Sequence, residues 1–205
     1  MTLARVSLIV EDSNFRDFLL PACERLGGEC GVEVTFGPVE KTFGCGPRLL
    51  EKHAGSLAGF HDIVVIGADA GGAHHRARRL TYRQKARALQ KIVGHGASGL
   101  IFAVAEPCIE AWILSDPNAF AAGLREASGQ PFTAPAAWPP PPKTEREAKE
   151  ALGLVVRHGV GGALPRVGFE YADEIVSRMK LKDSTNASLR DWANRYRGIL
   201  KSLDH

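Results

Sequence analysis

Ile63-Val64-Val65-Ile66-Gly67-Ala68-Asp69 is the stretch that decides the fold. An unbroken run of branched aliphatic residues, with no polar alternation, reads as a strand covered on both faces, as strands inside a parallel sheet are. An acid lies just beyond it. The pattern recurs on either side: Leu8-Ile9-Val10 precedes Glu11, and Leu100-Ile101-Phe102-Ala103-Val104-Ala105 precedes Glu106. In open α/β sheets, ligands bind in the crevice outside the carboxyl ends of the strands. Acids far apart in sequence are thus expected to converge on one crevice, and converging carboxylates suit a divalent metal ion.

Strand and helix signals alternate through the first half of the chain. Arg5 to Val10 reads as a strand, followed by a helix from Phe15 to about Leu26 that Ser13 or Asn14 can cap and that Gly27-Gly28 should end. Val32 to Phe36 alternates as a second strand, with a helical stretch near Leu49 to His53. After the Ile63 strand, Gly71-Gly72 open a loop and Thr81 to Val93 reads as a helix. Pro107 suits the first position of the helix that carries Ile109, Trp112 and Ile113. The expectation is an α/β domain over 1–130, with a parallel, Rossmann-like sheet and helices on its faces.

Residues 131–143 are proline-rich and read as a stiff connector of polyproline character. Thr144-Glu145-Arg146-Glu147 fits a capping box that starts a helix running to about His158, where Gly159 to Gly162 stop it. A last helix from about Asn186 puts Leu189, Trp192, Tyr196, Ile199, Leu200 and Leu203 on one face, a core stripe. Residues 144–205 therefore read as a helical extension packed on the same core.

Composition narrows the functional classes. With 26 Lys plus Arg against 23 Asp plus Glu the net charge is only +3, too small to argue for nucleic acid by itself. Its distribution says more: His74-His75-Arg76-Ala77-Arg78-Arg79, then Arg83, Lys85, Arg87 and Lys91, form a basic stretch after the Asp69 strand. The same run also fits a solvated helix face. Cys23, Cys30, Cys45 and Cys108 show neither a CxxC pair nor zinc-like spacing, so reduced structural thiols are expected. Glu11 and Asp12 interrupt the first apolar run too early for a signal peptide, and Leu100 to Ala105 is too short to span a bilayer. The expected setting is the cytoplasm, with no membrane partner.

Each acid also has a structural use. Glu11-Asp12-Ser13 is a good capping sequence, Asp69 in a Gly-rich turn can bond its own backbone, and Glu106 with Glu110 can complement a helix dipole. The i, i+4 spacing of Glu106 and Glu110 would nonetheless send both into the crevice from one helix face. A phosphate loop over Gly67 to Gly72 is a poor alternative, since no GxGxxG fits and no Lys-Ser or Lys-Thr completes a Walker loop.

The first-strand Glu11, the later-strand Asp69 and the run Glu106-Pro107-Cys108-Ile109-Glu110-Ala111-Trp112-Ile113-Leu114-Ser115-Asp116-Pro117 together resemble the Toprim-like domains of bacterial RloB-like proteins, distantly similar to OLD-family nucleases. The likeness spans roughly Leu3 to Pro117. It implies a magnesium- or manganese-dependent nuclease acting on DNA or RNA, an effector of anti-phage defence. Glu11 and Asp69 would be metal ligands, Glu110 and Glu106 a supplementary ligand or general base, and Arg76, Arg78 and Arg79 phosphate contacts. His74 or His75 would donate a proton. An ATPase subunit is the implied partner, with the tail, the connector and an exposed Trp138 as its docking surface. One departure matters: the partner position of the family's Asp-x-Asp pair is Gly67 or Gly71 here. The alternative implied is a catalytically degenerate module that binds nucleic acid or the ATPase without cutting.

Overall fold

The computed structural model describes residues 2–41, 47–70, 80–93, 99–129, 131–159 and 169–203. Its elements, in chain order, are β1 (Thr2–Val10), α1 (Ser13–Glu29), β2 (Val32–Lys41), α2 (Pro47–Ala58), β3 (Ile63–Asp69), α3 (Tyr82–Val93), β4 (Leu100–Ala105), α4 (Ile109–Ile113), α5 (Pro117–Ser128), α6 (Glu145–Gly159), α7 (Ala172–Val176) and α8 (Ala187–Leu203). Short 3-10 turns at Phe169–Tyr171 and Leu181–Asp183 precede α7 and α8.

All four strands are parallel, in the order β2-β1-β3-β4. The α/β expectation holds. Because the chain winds from β1 outward to β2 and then crosses back to β3, the winding reverses between β1 and β3, where an open sheet leaves its crevice. Val10 pairs with Gly67 and Asp69 with Ala105, so Glu11, Asp69 and Glu106 leave three neighbouring strand ends.

The two sheet faces are covered differently. Ile9, Val64, Ile66 and Val104 pack against Leu50, Ala54, Leu57 and Leu89 of α2 and α3. Val6, Leu8, Val65, Ile101 and Ala103 face the larger cluster, to which α1 and α4 to α8 all contribute. Covered on both sides, β3 is buried along its whole length, which is why its sequence does not alternate. An aromatic stack ties the tail to this core. Trp112 lies 5.6 Å from Trp192 and Trp192 5.8 Å from Tyr196, both stacked, while Phe15 meets Trp112 edge-on at 6.4 Å. Such pairs contribute about 0.5–1.5 kcal/mol each beyond area burial.

Several local expectations are corrected. Asp12, not Ser13 or Asn14, caps α1 by accepting from the Phe15 amide at 3.1 Å. Gly27-Gly28 do not end that helix, which runs on to Glu29; a side chain at Gly27 would collide with Val34 and the Val32 carbonyl, so the glycine serves the close approach of α1 to β2. Pro107 is not the first residue of a helix. It follows a cis peptide bond, Cys108 is the extended N-cap, and α4 begins only at Ile109. Glu106 therefore lies outside the helix that carries Glu110, and the shared helical face disappears.

Trp138 is half-buried rather than exposed. Its ring meets Phe120 edge-on at 5.7 Å and its indole N–H donates to the Leu114 carbonyl at 3.2 Å. Among the described residues no helix is long and apolar enough to cross a membrane.

Candidate functional site

The site is built on strand ends tied together by hydrogen bonds. Asp12 takes over the capping of α1, which leaves the Glu11 carboxylate to turn toward β3, where its Oε2 accepts from the Asp69 amide at 3.0 Å. Asp69 Oδ1 accepts in turn from the Ile109 amide at 2.9 Å. That bond fastens the first turn of α4 over the end of β3, and the next residue, Glu110, is carried into the same place. Glu110 is 5% exposed, and its buried Oε2 has no hydrogen-bond partner among the described residues.

Asp69 registers the crowding. Burial foremost, then the negative charges of Glu11, Glu110 and Asp12, push its carboxyl up from 3.8 to about 9, against the opposing pull of the Ile109 amide. At neutral pH and without a cation it holds its proton.

Glu106 goes elsewhere. Its Oε2 accepts from the Tyr82 amide at the start of α3 (3.1 Å), its own amide donates to Ser188 Oγ (3.1 Å), and its carbonyl accepts from Asn186 Nδ2 (3.1 Å). Glu11, Asp69 and Glu110 are brought together; Glu106 stands beside them as a clasp between α3, β4 and the start of α8. His74, His75, Arg76, Arg78 and Arg79 lie outside the described residues, as do Gly71 and Gly72.

No protein-family model, curated protein or solved structure matches the chain.

The oxygen donors suit a hard cation such as magnesium or manganese, which is bound by few carboxylates and keeps several waters. The orphaned Glu110 Oε2 and the strained charge balance at Asp69 fit such an ion. Glu11 and Asp69 each already spend one oxygen on a backbone amide, and among the described residues no three His, Cys, Asp or Glu side chains are grouped to hold a metal by themselves. An ion here would take few ligands from the chain. A side chain has no room at Gly67, where a Cβ would lie 2.8 Å from Phe15 Cδ1 and 3.0 Å from Leu19 Cδ1 on the packed α1 side of the sheet.

Sequence reasoning missed the other wall of the site. A cavity of about 550 Å³ opens beside the acids, lined by Ala70, Leu80 and Glu106 on one side and by Lys143, Arg146 and Lys149 of the α6 start on the other. Ala111 of α4 packs with Ala148 of α6, a contact that brings Lys149 near Glu110. The hydrogen bond to the Glu145 carboxylate at 2.6 Å first, and then the charges of Glu110 and Glu145, hold the Lys149 ammonium above its usual range. The capping box that starts α6 was legible, and Glu147 N–H does donate to Thr144 Oγ1 at 3.1 Å. Nothing local indicated that this turn would face β3 and β4.

Proposed function

We propose that this protein is a divalent-metal-dependent phosphodiesterase of Toprim type that hydrolyses DNA or RNA, an effector of anti-phage defence with an ATPase subunit as its partner. One observation carries the reading: Glu11, Asp69 and Glu110 meet at the reversal point of a parallel sheet, with one buried carboxylate oxygen without a partner among the described residues. Magnesium or manganese would draw on only some of Glu11, Asp69 and Glu110, with waters and a substrate phosphate completing its shell. When bound, the ion stabilises charge on a phosphoryl oxygen and lowers the pKa of its water.

The chain's own residues do the rest. Backbone amides of Asp69 and Ile109 orient the Glu11 and Asp69 carboxylates. Glu106 keeps one oxygen clear of the Tyr82 amide to orient or deprotonate water. Lys149, across the cavity, offers a cation to the negative charge that builds on the phosphate.

The degenerate-module reading has support of its own in the packed Gly67 and in the two amide-bonded carboxylates. One experiment separates them. Purified full-length chain with magnesium or manganese should cleave plasmid DNA, single-stranded DNA or tRNA, and chelation, Glu11→Gln, Asp69→Asn or Glu110→Gln should each abolish cleavage while circular dichroism stays unchanged. No cleavage, and no thermal shift on adding metal with any of these substrates, would leave a module that binds without cutting.

A further inference from the structure

A second feature lies along the outer edge of the sheet. β4 is a terminal strand, and none of the described strands pairs with its outer side. α3 and α8 stand on either side of that edge and enclose a groove of about 200 Å³, with Phe102 and Val104 of β4 at its base. Its rims carry Arg83 and Arg87 from α3 and Arg195 from α8. Among the described residues the one acid in the groove is Asp191, 3.3 Å from Arg195 and therefore already paired. α3 itself bears Arg83, Lys85, Arg87 and Lys91 and no acid. Such a surface selects a polyanion.

The groove also leads somewhere. The Tyr82 amide that starts α3 donates to Glu106 Oε2, and Ser188 in the first turn of α8 accepts from the Glu106 amide, so both walls are pinned to the residue beside the carboxylate cluster. At that end sits the Tyr82 ring, with the Arg83 guanidinium 5.5 Å from its centroid and Arg83 Nε donating to its hydroxyl at 3.0 Å. An aromatic ring held against a guanidinium, in a basic groove beside a strand edge that no described strand pairs, combines the stacking and charged groups that bind unpaired nucleotides. A groove of about 200 Å³ holds little more than part of one nucleotide at a time, so a strand would lie along it with its bases and phosphates on the rims. A duplex would meet only its rims.

We infer that the groove between α3 and α8 is the track along which single-stranded nucleic acid runs to or from the strand-end carboxylates. The inference rests on the reading above for what happens at the end of the track, but binding along it needs no metal and no cleavage.

The test measures binding alone, in chelator, by fluorescence anisotropy of the full chain with labelled oligothymidylate, oligouridylate and a duplex of equal length across a salt series. Both single strands should bind more tightly than the duplex, and a preference between them separates deoxyribose from ribose substrates, supporting the track either way. Arg83→Ala with Arg87→Ala, both at exposed side chains, should weaken single-strand binding on the order of tenfold and flatten its salt slope by about 0.7 per lost contact. Asp191→Asn, which removes the acid described in the groove and releases Arg195, should tighten it. Unchanged affinity and slope in the double variant, duplex binding as tight as single-strand binding, or weaker binding by Asp191→Asn overturns the track. Variant-sensitive binding without any cleavage in magnesium or manganese retains the track and rejects the phosphodiesterase. Cleavage with variant-insensitive binding does the reverse.

Discussion

At the residue scale, Asp69 has the most consequential environment. Its carboxyl is raised from 3.8 to about 9 by burial and then by its acidic neighbours. The unfolded chain releases this proton above 3.8 and the folded chain keeps it to about 9, so the stability it contributes is complete at low pH and is lost as pH rises through that window. In metal-free buffer the Tm of the wild type should therefore fall between about pH 5 and about pH 9 more steeply than that of Asp69→Asn, which cannot ionise. At the upper end Asp69→Asn should be the more stable protein, by about 2–4 °C for each kcal/mol of repulsion relieved. Manganese should raise the wild-type Tm there by favouring the ionised cluster and leave Asp69→Asn unmoved. Parallel melting profiles for the two proteins would show that Asp69 is not held protonated.

Among the elements, the proline-rich segment departs furthest from a spacer. Residues 131–143 run as a strap against the body of the molecule, anchored where Trp138 meets Phe120 and donates to the Leu114 carbonyl. Phe132 of the same strap also packs edge-on to Phe120, at 6.1 Å. A strap of this kind holds the start of α6, and with it Lys143, Arg146 and Lys149, against the cavity beside the acids. Trp138→Ala should cost roughly 2–4 kcal/mol, below or within the range for a fully buried aromatic because the ring is only half-buried. Chemical denaturation gives the loss, and limited proteolysis should find new cleavage within 131–143. A spacer would show neither change.

For the whole molecule, the helical tail completes the core. Trp192 and Tyr196 are buried against Trp112 and belong to the same hydrophobic cluster as Val6, Leu8 and Val65 of the sheet. The hydroxyl of Ser188 also accepts from the Trp112 indole at 2.7 Å. The tail and the sheet should therefore unfold together, in a single transition by both near- and far-ultraviolet circular dichroism. A chain ending at residue 143 should be insoluble or fail to melt cooperatively, since it would expose Trp112 and the α1 face at once. Cooperative unfolding of that shorter chain would establish the sheet region as a unit that stands alone.

The parallel sheet and the covered faces of its strands could be read from the sequence. The run Ile63 to Ile66 buries both faces and cannot alternate, Leu100 to Ala105 is apolar throughout although Leu100 and Phe102 are only half-buried, and the stripe of α8 repeats at helical spacing. Glu11 and Asp69 were legible because each directly ends a buried strand at the point where the sheet's winding reverses. What depends on contacts between distant segments was not legible. Glu106 turns to the Tyr82 amide because α4 starts at Ile109, and Lys149, paired with Glu145, feels the charge of Glu110 because small residues let α4 and α6 approach. The groove exists only because α3 and α8, far apart in sequence, flank one strand edge. Periodicity and capping act over one or two helical turns, so the sequence by itself determined the strands, the helices and the acids at the strand ends. The long-range packing of α3, α6 and α8 decided which of those acids meet and which cations face them.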